Sequence, residues 1–110
     1  MADGQTIERT RLFKHVLLID AKDDAADGVW IDVSSYVYAS IELVLTDTGT
    51  VQVRGSDSST RPLNSADGVQ IGSNITTNSI TNLASLPRWI KVKVTAAGQA
   101  LSVLGVFRRA

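Results

Sequence analysis

The chain has 110 residues, of which 11 are basic and 11 acidic, for a formal net charge of zero. That length bounds it to one domain with one modest core, because a chain this size buries roughly two thirds of its unfolded surface. The charge balance argues against a dedicated nucleic-acid or anionic-membrane binder, which needs a local excess of Lys and Arg, and it leaves little repulsion to oppose self-association.

Cysteine is absent, which excludes disulfides, thiolate catalysis and Cys-based zinc sites. No apolar run approaches the ~20 residues of a membrane span. The polar start, Met1 to Thr10, lacks the apolar core of a signal peptide. The expected compartment is the cytosol, or a particle assembled there. Val, Ile and Thr supply 30 of the 110 residues, and branching at Cβ suits the pleated surface of a sheet.

In chain order, residues 1–10 read as a flexible polar arm and residues 11–110 as one β domain. Leu12 to Asp20 is the first expected strand. It is apolar on both parities, with Leu12, Val16 and Leu18 on one and Phe13, Leu17 and Ile19 on the other. Such a strand is sandwiched in a core or covered by another subunit. An acidic loop with Asp23, Asp24 and Asp27 leads to the short strand Val29 to Val33. Tyr38 to Thr46 and Thr50 to Ser56 alternate around a Thr/Asp/Gly turn and read as a hairpin, with Ile41, Leu43 and Leu45 on one face and Val51 and Val53 meeting them. Residues 55–67 form the longest irregular segment, and long loops are often functional or mobile. Asp67-Gly68-Val69-Gln70-Ile71 echoes Asp27-Gly28-Val29-Trp30-Ile31, as equivalent turn-to-strand transitions in two halves of a sandwich would. One or two short strands are expected over Ile75 to Leu83. Arg88 to Thr95 places Ile90, Val92 and Val94 inward and Trp89, Lys91 and Lys93 outward, after Pro87 at its start. Leu101 to Arg108 closes the chain, with Leu101, Val103 and Phe107 on one parity and Leu104 and Val106 on the other. About eight strands at ten-residue spacing predict an all-β chain, a single β-sandwich of jelly-roll or immunoglobulin type.

Little in the pattern points to catalysis. His15 is the only histidine and reads as a strand residue that packs or faces solvent. Asp20, Asp23, Asp24 and Asp27 offer oxygens to calcium, but without EF-hand spacing they read as a solvated loop. The only glutamates, Glu8 and Glu42, suggest no glycosidase pair. The glycines form no phosphate loop. Asn74-Ile75-Thr76 matches a glycosylation sequon by coincidence. No enzymatic activity and no cofactor or metal are expected. Trp89 caps an open end of the sandwich, anchors a protein interface, or joins Trp30 and Tyr38 as a sugar-stacking platform. The first and last strands, apolar on both faces, point to oligomerisation or docking. The interface candidates are Phe13, Leu17, Trp89, Leu104, Val106 and Arg108.

Trp30 to Tyr36, Ala39-Ser40-Ile41, Thr48 to Ser56 and Leu86 to Val94 together resemble small structural proteins of tailed bacteriophage virions. The resemblance spans roughly residues 28–108 and leaves the N-terminal arm uncovered. It implies a β-sandwich virion protein of the capsid decoration or cement type, which binds the outside of the head, often as a trimer. The implied partners are the major capsid protein and further copies of the chain. The resemblance supplies no catalytic residues. The rival readings are a tail, baseplate or fibre-base component and a carbohydrate-binding module.

Overall fold

The computed structural model describes residues 3–9, 13–45 and 48–109. Residues 1, 2 and 10 of the expected arm, Leu12 of the expected first strand, and Thr46 and Asp47 of the expected turn lie outside the described residues. Ten strands follow in order: β1 Gln5–Arg9, β2 Phe13–Lys22, β3 Ala26–Asp27, β4 Ile31–Asp32, β5 Tyr38–Val44, β6 Gly49–Ser56, β7 Val69–Ile75, β8 Ser79–Leu83, β9 Trp89–Ala97 and β10 Leu101–Arg108. One sheet has the order β1-β2-β10-β5-β8. The other has β3-β9-β6-β7, with β4 beside β3 on the same edge of β9. All pairings are antiparallel. The interleaved orders β2-β10-β5-β8 and β3/β4-β9-β6-β7 are those of a jelly roll, which settles the topology that strand spacing left open.

Alternation sets which side chains fill the space between the sheets. Ala39, Ile41 and Leu43 of β5, Val51 and Val53 of β6, Ile90, Val92 and Val94 of β9, and Leu101, Val103 and Phe107 of β10 are all 2% exposed or less. The packing is tight where β2 crosses β10. Val103 and Leu104 pair with Ile19 and Leu17, so Leu18 is an extra residue bulged out of the ladder. The bulge lets Val16, Leu18 and Ile19 all reach the core. Leu18 takes the space above Gly105, where a Cβ would lie 2.9 Å from its Cδ1.

Two expectations are corrected. Residues 5–9 of the arm form an edge strand paired to β2. Gly4 N–H donates to Leu17 O at 2.6 Å, and Asp3 accepts from Asp20 N–H at 2.8 Å. All five β1 residues are exposed, so backbone pairing, invisible to a hydrophobic pattern, holds the strand. The expected hairpin over 38–56 is an arch instead. β5 pairs with β10 and β8, whereas β6 pairs with β9 and β7. Its apolar faces do meet, but across the sandwich rather than side by side in one sheet.

The two Asp-Gly-Val-x-Ile segments both lie in the β3-β9-β6-β7 sheet and differ in conformation. Gly68 has φ +57°, whereas Gly28 needs no left-handed backbone. They share a close backbone approach. A Cβ on Gly28 would sit 2.6 Å from Val92 O, and one on Gly68 would sit 2.5 Å from Gly55 O. Gly28 N–H also donates to that Val92 carbonyl at 2.8 Å. Gly28→Ala is therefore expected to destabilise the fold by about 2–3 kcal/mol through this clash. Urea unfolding measures it, and a loss under about 0.5 kcal/mol would contradict it.

Candidate docking surface

The two outer faces of the sandwich are treated differently by the chain. On the β3-β9-β6-β7 sheet, residues 57–68 lie over the outward side chains and are fastened to them. Trp89 Nε1–H donates to Ser58 O at 3.0 Å, and Trp30 Nε1–H donates to Leu63 O at 2.9 Å. The Lys91 ammonium donates to Asn64 O at 2.8 Å and to Ala66 O at 2.5 Å. It also lies 3.7 Å from the Asp27 carboxylate and 5.1 Å from the Trp30 ring centroid. Each buried donor thus meets an acceptor, as burial requires.

Further bonds hold the margins of this cover. Arg88 N–H donates to Asp57, and its guanidinium donates to Ser59 O at 3.0 Å while stacking on Trp89. Lys93 donates to Asp67 at 2.8 Å, and that hydrogen bond keeps the Asp67 carboxyl below the usual carboxylate range. The attraction is present at neutral pH and fades in acid as Asp67 protonates. Asp32, at the sheet edge, is likewise held low by the Ser34 backbone N–H, with Arg88 and Lys14 adding smaller attraction.

The irregular segment is therefore a pinned cover, and parity alone misplaced two residues. Lys91 is 0% exposed and Trp89 only 7%. Their outward direction was read correctly, but the wetter face expected for them is roofed by the loop. Trp30 is also 0% exposed, so neither indole face is open for stacking on a sugar.

The outer face of the β1-β2-β10-β5-β8 sheet is open. Cross-strand register sets its residues in rows. Gln5, Leu17, Leu104, Glu42 and Ile80 stand abreast across all five strands, and Glu8, His15, Val106, Ser40 and Asn82 form the next row. Phe13, Arg108 and Tyr38 make a third across three strands. Ile80 is 63% exposed, and Tyr38 and Val44 are each 39% exposed. A groove of 280 Å³ runs between Ile80, Leu104 and Val106, with His15, Glu42 and Arg108 at its margins. Five of the six candidate residues, Phe13, Leu17, Leu104, Val106 and Arg108, thus share one face, because β2 and β10 are neighbours, although Leu17 is only 6% exposed there. Trp89 lies in the other sheet. Ile80, Tyr38 and Val44 are additional members of the face. Ile80 carried a signal, as the one apolar residue out of phase with Leu83 in Ser79 to Leu83.

The remaining candidates do not converge on chemistry. His15 is half-buried on the open face. Asp23 accepts from Ala100 N–H at 2.8 Å, and Asp27 faces Lys91. Among the described residues no three acidic or histidine side chains gather as metal ligands would. Asn74 of the sequon is exposed on β7 and accepts from Gln70.

Fold and surface define a jelly-roll β-sandwich with one outer face roofed by its own loop and the other open. The SPBc2 prophage-derived protein YomS has the same fold, with a TM-score of 0.69 over 86% of this chain and 91% of that chain, at 11% sequence identity. No family model and no curated protein sequence matches the chain.

Proposed function

We propose that this chain is a non-enzymatic structural protein of a bacteriophage virion, of the capsid decoration or cement type. In this reading it binds the exterior of the head as a homo-oligomer, expected to be a trimer, and stabilises contacts between capsomers of the major capsid protein. The observation that carries the protein-contact part of the reading is the open face with its apolar patch at Ile80, Leu104 and Val106, on a neutral sandwich whose opposite face is closed by its own loop. An exposed apolar patch rimmed by polar residues suits contact with another protein. The prophage origin of a protein with the same fold supports a phage setting.

Purified protein mixed with expanded heads of the parent particle is expected to pellet with them, and to saturate at a fixed ratio to the capsid protein. Protein left in the supernatant with heads but pelleting with isolated tails would replace the cement reading with a tail component. Retention on a glycan array without binding to either particle would favour the sugar-binding reading.

A further inference from the structure

We propose that the open face of the β1-β2-β10-β5-β8 sheet is covered by a second copy of this chain, and is the copy–copy interface of the oligomer. The inference rests on the self-association in the reading above, narrows it to pairs of copies, and is independent of its capsid part.

Three observations lead there. First, the chain covers the outward Trp89 and Lys91 of its other sheet with residues 57–68, yet leaves Ile80 at 63% exposure, with Leu104 and Val106 partly exposed beside it. Second, the face is large enough. Five strands about 4.8 Å apart, carrying outward rows about 7 Å apart, offer roughly 500 Å² per copy and roughly 1,000 Å² in total, the lower bound for a specific interface. Third, its charge is mixed. Glu8 and Glu42 share the face with Arg108. A surface with both signs can meet another copy of itself with carboxylates against guanidinium groups, whereas a one-sign face would repel its copy. A flat sheet face also packs on another by the same side-chain interdigitation that joins the two sheets of a sandwich. Head contacts then fall on surfaces outside this face.

Light scattering of the purified protein without heads tests the assignment. A face that meets its own copy closes at two chains, so the expected mass is twice the 11.8 kDa of one chain, and three times would place the contact on two other surfaces. Ile80→Glu places a charge in the contact, and Leu104→Asp does so at its centre. Each is expected to weaken association about tenfold or more and shift the mass towards one chain. Ile80 is so exposed that Ile80→Glu should keep the circular-dichroism spectrum of the wild-type fold, so it decides the matter if Leu104→Asp fails to fold. Leu63→Glu, 77% exposed in the loop over the other sheet, should leave the mass unchanged. A monomeric wild type, or an Ile80→Glu variant of unchanged mass, would overturn the inference. Head binding is scored separately. An oligomer that ignores both heads and tails would sink the virion reading and leave this one standing. A wild-type monomer that binds heads, and loses them on Ile80→Glu, would make the capsid the occupant and exclude the second copy.

Discussion

Lys91→Met is expected to lower stability by about 2–4 kcal/mol, read as a fall in melting temperature of roughly 10–20 °C for a domain of this size. The reason is the position of a charge with no access to water. Lys91 is 0% exposed, and its ammonium serves the carbonyls of Asn64 and Ala66 while facing the Asp27 carboxylate. Methionine keeps most of the apolar stem but supplies no donor. Two carbonyls beneath the cover lose their partner, and Asp27 loses its counter-charge. The cost is that of taking the donor from two carbonyls that face a buried position, while the exposed Asp27 carboxylate returns to water. Arginine would not substitute, since its planar fork presents donors in a different geometry. A melting temperature within a few degrees of wild type would contradict the role given to this side chain.

Trp30→Ala is expected to cost about 3–5 kcal/mol, the range for deleting a fully buried aromatic side chain. The ring packs against Gly68, where an added Cβ would lie 2.7 Å from Trp30 Cη2. It also lies beneath the Lys91 ammonium and donates to Leu63 O. Its loss removes the floor of the cover as well as one of its fastenings. Limited proteolysis should therefore cut near residues 59–65 faster than in wild type, in addition to the shift in the urea midpoint. Because Lys91 and Trp30 touch and hold the same segment, the double substitution is expected to cost less than the sum of the singles. Strict additivity would mean that the two side chains stabilise the fold independently.

The sequence made the inward faces legible and the neighbours illegible. Ile90, Val92 and Val94, or Leu101, Val103 and Phe107, can be placed in a core by alternation alone. Alternation does not say whether Val51 and Val53 lie beside Ile41 and Leu43 or opposite them, because both arrangements hide the same atoms. The arch is chosen by the whole strand order. The same non-locality hid the cover over Trp89 and Lys91, whose acceptors are backbone carbonyls of residues 58–66 and carry no signature of their own. The edge strand β1 was hidden for a related reason, since five exposed side chains give no apolar pattern while the backbone pairs. The open face was partly legible. Leu17, Leu104, Val106, Phe13 and Arg108 stood out on strands apolar on both sides. That they form one surface follows only once β2 and β10 are adjacent, and Ile80 and Tyr38 join it through the β5 and β8 registers.

The thermal transition of the parent phage's expanded heads, recorded with and without saturating protein, tests the central claim most directly. A cement protein binds the assembled head in preference to its separated subunits, so mass action requires the transition to rise on saturation. The account predicts that rise, reaching its limit at the same stoichiometry as the pelleting curve. Heads that bind the protein and melt at an unchanged temperature would contradict the stabilising role, and heads that bind none of it would contradict the assignment to the capsid.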